Sequence, residues 1–121
     1  MAEWYEQVHE LQLQRNQEIW AELQGRGVDE QTQLRLGFIY AAPGLPEARD
    51  LGAFLREETD YDIEVRARGD DGEESWFVMG STQPTAVTPA LLDDWTEWMI
   101  AAGAAEGPCV FDGWAAQLVG E

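Results

Sequence analysis

The order of apolar patterns along the 121-residue chain predicts an α+β sandwich. Three observations carry that prediction. A long helical pattern free of Gly and Pro leads the chain. The remainder reads strand–helix–strand–strand–helix–strand. Hydrophobic residues make up 45% of the sequence, enough to build a core despite the heavy charge. The strand and helix order describes a split β-α-β unit, a ferredoxin-like sheet with two helices on one face. The length suits one domain of 1–121, with an N-terminal helix over 1–25 and a ferredoxin-like core over 32–118.

The first element covers Glu3 to about Gln24 and is rich in Glu, Gln and Leu, all good helix formers. Trp4, Val8, Leu11, Ile19, Trp20 and Leu23 make an apolar stripe at roughly helical spacing, placed to dock on the domain. Gly25 and Gly27 suit its C-terminal cap. The helix is additional to the ferredoxin-like order and is placed to cover part of the otherwise open sheet face.

Thr32 to Tyr40 alternates, with Leu34, Leu36, Phe38 and Tyr40 on one face, as a half-buried strand requires. Pro43-Gly44-Leu45-Pro46 turns the chain, and Pro46 suits the first position of a helix that runs to about Glu58. That helix buries Ala48, Leu51, Phe54 and Leu55. Tyr61, Ile63, Val65 and Ala67 then alternate with Asp62, Glu64, Arg66 and Arg68, the cleanest strand in the chain. Gly69-Asp70-Asp71-Gly72 reads as a hairpin turn, since Asp-Gly readily takes positive φ. Oxygen ligands at alternating positions, as a calcium loop needs, are missing there. Ser75 to Ser81 is apolar on both faces through Trp76, Phe77, Val78 and Met79, which predicts a strand near the sheet centre or covered on both sides. Thr88-Pro89 opens a second core helix, with Leu91, Leu92, Trp95, Trp98, Met99 and Ala102 on its apolar side and Gly103 as its end. The last strand covers about Pro108 to Leu118.

Charge restricts function more than any motif does. The chain carries 24 acidic residues against 7 basic ones, all Arg, for a formal net charge of −17. Nucleic-acid affinity comes largely from Lys and Arg displacing counterions, so direct nucleic-acid binding is disfavoured. Anionic membrane surfaces are disfavoured on the same grounds. The favoured partner is a basic protein, met with association that slows as salt rises. A single cysteine, Cys109, allows no internal disulfide and reads as a small buried side chain. Met1-Ala2-Glu3-Trp4 lacks the basic start and apolar run of a signal peptide, and no stretch approaches the ~18 apolar residues of a membrane span. The expectation is a cytoplasmic protein.

Catalytic chemistry finds little to use. His9 is the only imidazole, so neither a metal cluster nor a Ser or Cys nucleophile with its base is suggested. No Gly-rich phosphate loop and no H-E-x-x-H or G-x-S-x-G motif occurs. The reading is of a protein that is not an enzyme and uses no cofactor or metal. A carboxylate pair with one raised pKa remains the route by which acid–base catalysis would enter.

One segment departs from ordinary strand patterning. In Phe111-Asp112-Gly113-Trp114 the alternation is interrupted by Asp-Gly, and glycine inside a strand marks a bulge or a close backbone approach. Two readings are open. Gly113 makes a bulge while Trp114 packs on the first helix and Asp112 satisfies nearby backbone donors. Alternatively, the edge displays Asp112 and Trp114 to a partner, Trp being enriched at binding hot spots.

Ordered features across nearly the whole length resemble the RraB family, regulators of ribonuclease activity that inhibit the endoribonuclease RNase E. These are the acidic first helix ending at Leu23-Gln24-Gly25, the Gly27-Val28-Asp29 link, the β-α-β-β core, the helix entered near Leu92-Asp93, and Phe111-Asp112-Gly113-Trp114. The aromatic-Asp-Gly-Trp motif is the most specific of them. The resemblance implies a small acidic protein that binds a ribonuclease and lowers its activity by contact, without metal or cofactor. Candidate contacts to Arg-rich segments of such a partner are Glu57, Glu58, Asp60, Asp62, Glu64, Asp93, Asp94 and Glu97, together with Asp112 and Trp114. An immunity-type or antitoxin-like protein that neutralises a basic toxin or effector shares the same acidic signature.

Overall fold

The computed structural model of the protein describes residues 2–68, 75–106 and 108–118. It is an α+β structure of three helices and a five-stranded, open antiparallel sheet. The elements are α1 (Ala2–Gly25), β1 (Gln33–Ala42), α2 (Leu45–Glu58), β2 (Asp62–Arg68), β3 (Ser75–Ser81), β4 (Thr85–Ala86), α3 (Pro89–Glu106) and β5 (Val110–Leu118). The turn predicted at Gly69–Gly72 lies outside the described residues.

β1 is the centre of the sheet. On one side it pairs with β5 from Leu34↔Leu118 to Ala41↔Val110. On the other it pairs with β3 from Gly37↔Ser81 to Ala42↔Trp76, then with the short β4 at Leu34↔Thr85 and Gln33↔Ala86. β2 pairs only with β3 and forms the far margin. β3 therefore lies inside the sheet, as its apolar character on both faces predicts. β4 is an element the sequence reading lacks.

Alternation along β1 sorts its side chains as predicted: Leu34, Leu36, Phe38 and Tyr40 are all buried. Their face receives the helices. Tyr40 donates its hydroxyl to the Met99 carbonyl of α3 at 2.6 Å, which satisfies a phenol that burial holds far above the usual tyrosine range. On the opposite face Ile39, Phe77 and Met79 stay partly exposed.

Caps set the helix ends. Thr88 Oγ1 accepts from the Leu91 amide at 3.1 Å, with Pro89 as the first residue of α3. α1 ends in a Schellman motif. The Val28 amide reaches the Leu23 carbonyl and the Gly27 amide the Gln24 carbonyl, both at 3.0 Å. Gly27, at φ +92°, is therefore the capping glycine, while Leu23 and Val28 make the apolar contact that accompanies this motif in the core. Asp29 then closes a local turn, accepting from the Gln31 amide at 2.8 Å and the Thr32 hydroxyl at 3.1 Å. Those bonds, the Gln31 amide first, hold its carboxyl below the usual range.

Four predicted features are corrected. Gly103 does not end α3, which continues to Glu106. It is a packing glycine, because a Cβ there would lie 2.6 Å from Tyr40 Cε2 and 2.7 Å from the Cys109 carbonyl oxygen. The α1 stripe is also different. Leu11 is 46% exposed, and the inward positions between Val8 and Ile19 are taken by Gln12 and Asn16, both buried. In addition, α1 lies beside α3 and meets the sheet at β5, so it extends the helical layer instead of crossing the other face. On α3 itself Leu91 and Trp98 point outward, and Thr96 and Ile100 join Leu92, Met99 and Ala102 inside.

Candidate partner-binding surface

The ten candidate contact residues fall into three places. The first is the end of α2 and the strand it leads into. Glu57 and Glu58 occupy the last turn of α2, Asp60 the link, and Asp62 and Glu64 the marginal strand β2, all exposed. Period-2 geometry splits this group. Ile63 and Val65 turn towards Gly52 of α2, so Asp62 and Glu64 project from the helix-free face. Glu64 is engaged, its Oε1 lying 2.7 Å from Arg66 Nε. Among the described residues Glu57, Glu58, Asp60 and Asp62 have no cationic partner. The C-terminal carbonyls of α2 add the negative end of a helix dipole to the same spot.

The second place is α3 where it faces α1, and there the carboxylates serve the fold. Asp93 Oδ1 accepts from Asn16 Nδ2 at 3.1 Å, and Glu97 Oε1 lies 2.7 Å from His9 Nε2. Asp94 is exposed. With Glu6, Glu10 and Trp98, Asp94 and Glu97 border an open groove of about 960 Å³ between the two helices.

The third place is the β5 bulge. The register of β1 and β5 shifts between Ile39 and Tyr40, which face Gly113 and Phe111, leaving Asp112 as the extra residue. Gly113 has φ +136°, a conformation that strains any residue with a Cβ. Trp114 is only 8% exposed. Its indole donates to Asn16 Oδ1 at 2.7 Å and its ring meets Trp95 edge-on, so most of its surface is committed to the interior. Asp112 is exposed and accepts from no described backbone donor, unlike the inward-folded role offered for it.

Asn16 links these last two places. Besides accepting from Trp114 it donates to Thr96 Oγ1 at 2.9 Å and the Leu92 carbonyl at 3.3 Å. The single polar side chain thus ties α1, α3 and β5 together inside the core. Its sequence signal is faint: a polar residue at an inward position of a helical stripe. Cys109, the lone thiol, is fully buried and lies 3.7 Å from the Glu47 carbonyl oxygen. Burial first, then the nearby charges of Glu47 and Asp50, pushes it up to about 11, which keeps it protonated and unreactive at neutral pH.

A further cavity of about 340 Å³ opens beside Asp60. It exists because β1 changes partners. Between the β3 pairing, which ends at Gly37↔Ser81, and the β4 pairing, which starts at Leu34↔Thr85, the chain at Thr82-Gln83-Pro84 swings away from the sheet. Thr82 replaces the missing ladder, its amide donating to the Leu36 carbonyl at 2.9 Å and its Oγ1 accepting from the Leu36 amide at 3.0 Å. Leu36, Val87 and Leu92 form the floor, and Tyr61 and Trp95 a wall in which the indole donates to the Tyr61 hydroxyl at 3.0 Å. Burial, reinforced by the charge of Asp60 and opposed by that indole, raises the Tyr61 hydroxyl above the usual tyrosine range. It therefore keeps a proton to donate.

Compared with known proteins, the chain matches no family model and is similar to no curated protein.

Proposed function

We propose that this chain is a cytoplasmic regulator that works by contact, holding a basic, Arg-rich protein against its acidic surface without catalysis or cofactor. The partner put forward is an RNase E-like endoribonuclease, which the chain would inhibit as its resemblance to the RraB family implies. The observation that carries the reading is the exposed group Glu57, Glu58, Asp60 and Asp62 around the end of α2 and the start of β2, without a cationic partner among the described residues, on a chain of formal net charge −17. Unpaired surface carboxylates steer a cationic partner and suffer little desolvation before contact. A ferredoxin-like core is supported by the run β5–β1–β3–β2, with β4 taken as a continuation of β3 along β1. No helix among the described residues is long and apolar enough to cross a membrane.

The test combines the purified chain with the purified endoribonuclease, measuring complex formation and RNA cleavage at low and high salt. Binding that fades with salt, with slowed cleavage, supports the assignment; neither at low salt removes it. The alternative, neutralisation of a basic toxin or effector, rests on the same charge and gains only if a toxin gene adjoins this one.

A further inference from the structure

We propose that the cavity beside Asp60 is an anchor pocket for a basic peptide segment, receiving one large apolar side chain whose flanking arginines or lysines meet Asp60, Glu57 and Glu58. The inference rests on the acidic-surface reading and adds to it the kind of segment that is recognised. Four observations support it. The cavity, about 340 Å³, lies at the lower end of the ~300–1,000 Å³ typical of ligand pockets, enough for a side chain and too small for a folded element. Its floor is aliphatic, while the Tyr61 hydroxyl, used as an acceptor by Trp95, still has its own proton to donate to a peptide carbonyl. Its mouth is held open by fixed bonds. Thr82 is tied to Leu36 on both sides, and Gln83 Nε2 donates to the Asp60 carbonyl at 2.9 Å, joining the β3–β4 link to the entry of β2. A preformed mouth lowers the ordering cost of binding. Finally, Leu91 stands 53% exposed in the same lining as Asp60, a large apolar group in water beside a carboxylate that has no cationic partner among the described residues. Apolar floor and acidic rim together select an apolar residue set among basic ones, the usual division between a buried anchor and a charged periphery.

The experiment uses the full chain and two fluorescently labelled Arg-rich peptides, identical except for a central Phe in one and Ala in the other. Affinity is read by anisotropy, and the pocket by the Trp95 indole N–H resonance. The Phe peptide is expected to bind at least about tenfold more tightly than the Ala peptide, the least that burying an aromatic side chain should give. It alone should move the Trp95 resonance. Leu91→Gln, at an exposed position, should shrink the difference between the peptides severalfold. Equal affinities with an unmoved Trp95 signal overturn the pocket and leave the acidic surface standing. A Phe preference that persists in Leu91→Gln with Trp95 unmoved also overturns it, since the anchor then sits elsewhere. No binding of either peptide at low salt removes the acidic reading and the pocket together.

Discussion

Asp93 and Glu97 on α3 direct their charge across to Asn16 and His9 of α1, whereas Glu57, Glu58, Asp60 and Asp62 around the end of α2 direct theirs to solvent. Both groups look alike in the sequence: acidic residues near the polar side of a helix. The difference lies in what packs opposite. α3 has α1 beside it, so its carboxylates find a histidine and an amide. The end of α2 opens into the link to the marginal strand β2, where no described cation approaches. Like composition therefore gives a structural acid in one region and an available one in the other. On the proposed reading, partner recognition belongs to the second.

The sharpest way to break this contrast is at Asn16. Asn16→Ala leaves the buried Trp114 indole and Thr96 hydroxyl without their partner, and a buried group so stranded costs roughly 1–3 kcal/mol. A loss of about 3 kcal/mol is expected in urea denaturation, with no direct effect on peptide or partner binding measured under conditions where the variant is folded. Gly103→Ala should follow at about 1–3 kcal/mol, because the added methyl meets the Tyr40 ring and a backbone oxygen.

Reversing the available group tests the other side. In Glu57→Arg/Glu58→Arg/Asp60→Arg the association rate with a basic partner should fall about tenfold at low salt. Its dependence on salt should flatten, and stability should change by no more than about 0.5 kcal/mol. Stopped-flow mixing and urea titration read the two effects separately. If stability collapses while association is unchanged, the two regions have been assigned the wrong way round.

Alkali probes the interior. The Cys109 thiol holds its proton more tightly in the folded chain, up to about 11 against an ordinary 9.0, so its contribution is complete below pH 9.0 and is lost as pH rises towards 11. Tyr40 and Tyr61 are shifted the same way. Urea midpoints should therefore fall across that window, less steeply in Cys109→Ala. The smallest effect is expected for Glu97→Gln. Its contact with His9 is exposed, and exposed pairs contribute roughly 0–1 kcal/mol. A loss above that range would mean that the α1–α3 contact depends on this pair far more than its exposure allows.

Much of the fold was legible because local rules govern it. The Thr88-Pro89 helix start, the limits of β3 and the alternation of β1 all follow from capping and period-2 patterning, and each agrees with the structure. Features set by distant residues were not. Gly103 reads as a helix stop until Tyr40 is seen against it, and Asn16 reads as polar surface until α3 and Trp114 surround it. β4 is two residues long and is defined only by its pairing with Gln33 and Leu34. The site shows the same division. Acidity is plain from composition, but which carboxylates are engaged depends on His9 and Asn16, many residues away. The cavity beside Asp60 arises from a change of partner along β1, which no local pattern records.

The single added residue in β5 has a consequence of parity. Phe111 and Trp114 are three positions apart, an odd interval that uninterrupted pleating would send to opposite faces, yet they stand opposite Tyr40 and Phe38 on the same one. The bulge is a one-step frame correction placed between them. Deleting Asp112 would shorten that interval to two, which strict alternation already keeps on one face, so Phe111 and Trp114 would stay opposite Tyr40 and Phe38. The bulge is thus a one-residue insertion that the pairing absorbs without displacing either ring, and its loss would remove only the exposed Asp112 and the local bend that it brings.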